Sequence, residues 1–512
     1  VKISLQSIHF ILFLLLALTA GSAFAQSFVP NQHYFGRNNY IEYIAGNSPF
    51  IISAPHGGSL VPAEIPDRTV GTTTKDANTE DLARDIQSAY VALTGNYPHV
   101  IINRLHRIKL DANRDIVEGA AGNQYAIQAW NEFQMFIDSA KAQVARSHGK
   151  GFYIDIHGHG HTVQRLELGY ILSSSQLGLS DLTLNSNTGY RNISSIRTMA
   201  ANAGIPFADL LRGESSLGSF FEYRGYPAVP SSLQPDPGGN AYFNGGYNTD
   251  RHGSSNGGVI SGLQIESHYD GVRDTDANRK KYAKVIVDVV ERYLALHLFK
   301  TTAAVRPNVA INEILFDIPS DNTQTAELEG DANGDGVRSA RGDEFIEIIN
   351  NETDDVDISG YQLLERELTP IFTFPANTVL KSKEVAVVFG GVGPNGFGTQ
   401  FPPTVKLFAA KQGSADSGFY YSASKTNLLS TNDNVIFYNP KINYVADEIC
   451  WGTSSPRTKN GKKLIAPNTA LNDSISGTIQ QSVTRNPAGT GLWTKHTSVS
   501  SQQYSPGNLA LS

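Results

Sequence analysis

The chain has one cysteine, Cys450, and two methionines in 512 residues. A single thiol excludes an intramolecular disulfide framework and any zinc site built from several cysteines, so histidines and carboxylates would have to hold a metal. Positive charge is not in surplus: 41 Lys and Arg against 48 Asp and Glu give 41 − 48 = −7. A nucleic-acid binder or a polybasic membrane-surface protein needs a basic footprint that this composition lacks. Long apolar runs are scarce as well. The run from Phe10 to Leu18 is shorter than the ~20 residues of a membrane-spanning helix. It follows Lys2 and precedes Ala23-Phe24-Ala25, the pattern of a secretory signal peptide over residues 1–25 with cleavage after Ala25. No cysteine follows that site to carry a lipoprotein anchor. The expectation is an exported protein, secreted or held at the cell surface.

What is present divides into two halves. From Gln32 to Phe299 short apolar runs alternate with helical patterns, the signature of an α/β domain. Phe50–Ala54, Val100–Ile102, Phe152–Ile156 and Val259–Ile265 predict buried strands. Leu82, Ile86, Tyr90 and Leu93 predict a helix capped by Asn78 or Thr79 and stopped at Gly95. Further helices are predicted around Ile127–Val144 and Tyr282–Tyr293. Residues 300–308 (KTTAAVRPN) form a linker. From 309 to 512 short β-type runs separated by Gly, Asn, Asp and Pro turns predict an all-β sandwich.

Chemistry-bearing residues cluster where the predicted strands end, the place where open α/β sheets bind ligands. One strand runs into Pro55-His56-Gly57-Gly58, another into His157-Gly158-His159-Gly160-His161, and a third delivers Glu266. Zinc suits these residue types, because it takes neutral imidazole and carboxylate and keeps one position open at a catalytic site. His56 and His157 are two candidate ligands, with His159 as the alternative to His157. The third is acidic, either Asp76 or Glu80. The glycines beside the histidines are expected to leave room for a ligand. Between these stretches lies Asn103–Asp115, rich in Arg, Lys and His. It is either a solvated charged loop or an anion clamp, with Asn113 and Arg114 gripping a substrate carboxylate.

SAPHGG, the D-A-N-T-E-D-L-A run, L-H-R-x-K-x-D-A-N-R-D, D-I-H-G-H-G-H and L-Q-I-E, in that order, resemble the N-formylglutamate amidohydrolases. These are relatives of the zinc carboxypeptidases, so the resemblance implies a mixed sheet with flanking helices. It implies zinc on His56, Asp76 and His157, with Asn113 and Arg114 on the substrate's free carboxylate. Arg107 would polarise the scissile carbonyl and Glu266 would be the catalytic carboxylate. Tyr247 and Arg251 resemble a substrate-loop motif of the same family. The carboxypeptidases carry their acidic ligand three residues after the first histidine, and that place here is Ser59.

In the second half, Asp331, Asn333 and Asp335 with Gly336 form the front of a calcium loop or, without an ion, an Asp/Asn/Gly turn. Gly342 stands where a full loop of that kind carries Glu. Ala310–Ile314, Asp343–Asn350, Asp357–Tyr361 and Ser505-Pro506-Gly507 resemble the lamin-tail domain, an immunoglobulin-like sandwich. That likeness implies an accessory role toward a surface or extracellular ligand. The whole predicts a secreted zinc amidohydrolase acting on an N-acylated amino acid or short peptide with a free carboxylate. The alternatives are a zinc carboxypeptidase and a non-catalytic protein binding peptides or glycans.

Overall fold

The computed structural model describes residues 28–300 and 309–509, apart from 325, 327, 353, 366–367, 420–432, 442–443, 452–457, 460–461 and 464–479. Residues 1–25, where a signal peptide is expected, lie outside the described residues, as do 301–308 of the expected linker. The chain divides into two units with the break between Leu298 and Phe299.

In the first unit eight strands form one mixed sheet: β1 (His33–Phe35), β2 (Ile41–Ile44), β3 (Phe50–Ala54), β4 (His99–Asn103), β5 (Gly151–Gly158), β6 (Leu166–Gly169), β7 (Ala228–Val229) and β8 (Ile260–Ser267). Their order is β1-β2-β4-β3-β5-β8-β6-β7. The four central strands, β4, β3, β5 and β8, are parallel. Antiparallel β2 and β6 flank them. Every residue of β3, β4 and β8 is buried, which is why these strands are near-continuous apolar runs.

Helices cover both faces. Alternation along the strands turns Phe50 and Phe152 to one side, where they meet Tyr90 of α1 (Thr79–Thr94) and Tyr293 of the C-terminal helix Asp276–Tyr293. Ile51, Ile101 and Tyr153 point to the other side and share a core with Trp130, Phe133, Ile137, Ala140 and Val144 of α2 (Gln124–His148). Asp155 and His157 continue the Tyr153 side, so the polar ends of the strands emerge on the α2 face.

Two local expectations need correcting. Leu93 belongs to the α1 stripe by spacing but is 52% exposed, because the helix ends at Thr94 and Gly95 takes a left-handed φ of 70°. Asn78 makes no side-chain cap; its amide donates instead to the Arg273 carbonyl at 2.7 Å. The strands β1, β2, β6 and β7 and the short helices between Ser174 and Tyr223 gave no sequence signal, since each is too short to establish a period.

The second unit is all-β. One sheet runs Lys406–Gln412, Val385–Val392, Phe345–Asn350, Val309–Leu315, Val483–Asn486 and Leu492–Lys495. A second runs Pro370–Thr373, Gln362–Leu364, Asp433–Asn439 and Tyr444–Trp451, and two further sheets have two strands each. Ile311, Ile346 and Val388 of the first pack with Leu363, Val435, Phe437 and Ile449 of the second, giving the expected sandwich core. Cys450, next to Ile449 on the same strand, is also buried, and burial pushes its thiol up to about 11.

Glu313 and Glu347 face each other across adjacent strands of this unit, both fully buried. Burial, reinforced by the neighbouring carboxylate, raises Glu347 to about 8. The folded state therefore keeps a proton that the unfolded chain releases near 4.5. Such a group contributes stability at low pH and loses it as pH rises from its unfolded toward its folded value. The thermal midpoint of this unit should fall between about pH 5 and pH 8, and Glu347→Gln should flatten that fall. Identical pH profiles for the two proteins would contradict the assignment.

Candidate metal centre

β3 ends at Ala54, and the turn after it carries His56. Asp76 lies twenty residues further on, yet its backbone N–H donates to the His56 carbonyl at 3.1 Å, which returns the loop to the strand end. Gly57 permits this. A Cβ there would lie 2.2 Å from the Glu80 backbone nitrogen, so the glycine admits the start of α1 rather than a ligand, contrary to the expectation. β5 supplies Asp155 and His157 on one face, and β8 places Gln264 and Glu266 directly opposite them in register.

These segments converge. His56 Nδ1 lies 3.3 Å from Asp76 Oδ2, and His157 Nδ1 lies 3.2 Å from the same oxygen. The two imidazoles meet edge to face at 4.7 Å. Each presents its other nitrogen to a second carboxylate: His56 Nε2 is 2.7 Å from Asp111 Oδ1, and His157 Nε2 is 2.8 Å from Asp155 Oδ2. If those outer nitrogens carry the protons, both Nδ1 lone pairs point at an anionic oxygen. That arrangement is repulsive unless a cation sits among them.

The donor spacing fits such a cation. Zinc arms of about 2.0–2.1 Å in a tetrahedron put neighbouring donors about 3.3–3.4 Å apart, and the observed separations are 3.2 and 3.3 Å. The surrounding charge is acidic: Asp76, Asp111 and Asp155 lie buried around the two imidazoles, with Arg107 bonded to two of them, which favours a cation. The proton equilibria agree. Burial opposes a charge on His157, but Asp155, Asp76 and Glu266 still raise it to about 10. Burial likewise opposes the charge on Asp76, but the two histidines hold it well below the usual carboxylate range. A site that draws a proton this strongly offers a metal ion the same attraction.

Glu266 stands beside the cluster, with Oε1 3.9 Å from His157 Nδ1. Gln264 Nε2 donates to Oε1 at 2.9 Å, while Oε2 is buried without a partner. Burial raises this carboxyl to about 7, with His157 pulling it down and Asp76 adding to the rise. Arg107 donates from Nε to Asp111 at 3.0 Å and from Nη1 to Asp76 at 3.3 Å.

The structure therefore gathers His56, Asp76, His157, Glu266 and Arg107. The alternative ligand Glu80 pairs with Arg84 at 2.9 Å instead. The alternative His159 is turned away, since its Nε2 donates to the Arg165 carbonyl and its Nδ1 accepts the His161 N–H. A second grouping, His159, His161 and Glu167, is thereby short of a free ligand. Asn113 does not join Arg114 in a fork. Its amide packs against His157 and Gln264 and accepts the Asn248 N–H, while Arg114 pairs with Glu118 at 3.4 Å. Tyr247 and Arg251 lie against Trp130, and Arg251 pairs with Asp138 at 3.0 Å. Arg251 lines a groove of roughly 820 Å³ along α2 that none of the gathered residues lines. The basic loop is neither solvated nor a clamp at Lys109, whose ammonium donates to the Ile65 carbonyl at 2.6 Å.

Asp111 and Asp155 are functional groups beyond those expected from the sequence. Asp155 had a signal: an acid inside a buried apolar strand, two residues before a histidine, must share its face and needs a partner. In the second unit Asp331, Asn333 and Asp335 form one turn whose oxygens accept N–H groups of Gly336, Asp335 and Val337; Asp331 Oδ1 is buried without a partner.

Residues 302–453 match the family model of the Lamin Tail Domain. Over its N-terminal half the chain is similar to an N-formylglutamate amidohydrolase from Ralstonia eutropha JMP134, at 10% identity, covering 51% of this chain and 99% of that one with a TM-score of 0.33. It is also similar to the apo form of an N-acetylmuramyl-L-alanine amidase from Mycobacterium abscessus, at 13% identity, covering 49% and 100% with a TM-score of 0.23. None of the curated proteins matches the chain.

Asp111→Asn and Asp155→Asn should each weaken zinc binding about 10–100-fold, read by competition with a chromogenic chelator. Wild-type affinity in both variants would contradict their role behind the histidines.

Proposed function

We propose that the first unit is a metal-dependent hydrolase of amide bonds, with zinc held by His56, Asp76 and His157. The observation that carries this reading is the pair of buried imidazoles turned onto one Asp76 oxygen, with an unpartnered Glu266 oxygen beside them. When bound, the ion supplies a Lewis acid for the scissile carbonyl and brings the pKa of a water toward about 7. Glu266 then takes the proton of the attacking water at Oε2 and returns it to the leaving amine, as general base and then general acid. Gln264 fixes the rotamer of that carboxylate through Oε1. Arg107, tied by Nε and Nη1, has Nη2 free to donate to the developing oxyanion.

The substrate we infer is an N-acylated amino acid or short peptide with a free carboxylate. Arg114 is the candidate for that carboxylate, since its guanidinium is partly exposed beside Asn113. Export through residues 1–25 would place the reaction outside the cytoplasm, with the sandwich as a tether or binding module. Calcium at Asp331 belongs to the same proposal, supported by its unpartnered buried oxygen.

Glu266→Gln should keep zinc at wild-type stoichiometry and lower kcat by about 10²–10⁴, assayed on N-formylglutamate, other N-acyl amino acids and C-terminal peptides. Unchanged turnover would remove Glu266 as the base. Turnover of the peptides alone would make the enzyme a carboxypeptidase.

A further inference from the structure

We propose that Arg273 is a positioning residue for the metal centre, its single buried guanidinium holding together the three segments that carry Asp76, His157 and Glu266. This rests on reading the cluster as a metal site. Arg273 belongs to none of the motifs that pointed to the site, and it is 4% exposed.

Its three nitrogens each take a different carbonyl. Nε donates to Ser267, the residue after Glu266, at 3.2 Å. Nη2 donates to His159, two residues after His157, at 3.3 Å. Nη1 donates to Ala77, the residue after Asp76. The Arg273 carbonyl in turn accepts the Asn78 amide, which ties the start of α1 to the same point. The Tyr269 ring covers the guanidinium at 5.1 Å. Gly158 is a glycine for this reason: a Cβ there would lie 2.4 Å from the guanidinium carbon. The D-I-H-G-H sequence therefore records a cation passing under the strand end.

Other buried arginines tie loops too. Arg68 bonds the carbonyls of Thr72, Val70, Arg107 and Glu118. Arg273 differs in that every acceptor lies within two residues of a ligand or of the base. A planar fork fixes three directions at once, whereas a lysine ammonium on a flexible stem keeps the charge without that geometry. The ligand atoms sit only 3.2 and 3.3 Å from their shared partner, so a shift of half an ångström in one segment would open the set.

The test uses the full chain, stripped of metal and titrated with Co²⁺ and Zn²⁺, for wild type, Arg273→Met and Arg273→Lys. Thermal midpoints serve as the fold control. The expected result is a loss of about 10–100-fold in zinc affinity for Arg273→Met, with a weakened and shifted visible Co²⁺ spectrum. Arg273→Lys, the milder change should the methionine variant fail to fold, should recover part of the affinity but not the spectrum. Wild-type affinity and spectrum in folded variants would overturn the role of Arg273 and leave the metal centre standing. Absence of Co²⁺ and Zn²⁺ binding by the wild-type protein would overturn the metal centre itself.

Discussion

Two imidazoles face one carboxylate oxygen in a place without bulk water, and the rest of the first unit is arranged around that constraint. With their outer nitrogens as donors, neutral imidazoles at His56 and His157 would set two Nδ1 lone pairs against Asp76 Oδ2, a conflict that a proton or a metal ion relieves. Asp111 and Asp155 sharpen the conflict by fixing the outer nitrogens as donors. A divalent cation held among them would relieve that conflict. The parallel strands bring the groups to one edge, and the loops between them are tied by their own backbone bonds, so the cluster stays set.

Part of this was legible in the chain. His56, His157 and Glu266 announced themselves because each breaks an apolar strand at its end, where a buried polar group needs a purpose. Spacing alone left Asp76 and Glu80 open and only the family likeness favoured Asp76, because the choice depends on a backbone bond from Asp76 to His56 that no periodicity encodes. Asp155 could have been found from alternation alone. Arg114 came from the charge of its loop and Tyr247 and Arg251 from the family likeness, and the structure gives them nearer partners in Glu118, Trp130 and Asp138. Arg114 lies in a loop and Tyr247 and Arg251 in a six-residue helix too short to show a period, so spacing does not foretell their partners. The central strands were legible as continuous apolar runs; β1, β2, β6 and β7 were not, and β6 carries Glu167 opposite Glu266.

The second unit obeys different physics. Its signal is turn chemistry between short strands, and its core is formed by two apolar faces rather than by a polar strand edge. Its buried acids, Glu313 and Glu347, accept hydrogen bonds from Ser482, Ser505, Asn312 and Gly507 and so serve the packing of the chain end. Among the described residues it gathers no set like that around His56.

If His56, Asp76 and His157 share one divalent ion, anomalous diffraction at the zinc edge from crystals of the zinc-loaded protein should show one peak within about 2.0–2.2 Å of both Nδ1 atoms and an Asp76 oxygen. A zinc peak confined to another site, or none at this cluster at full loading, would contradict it.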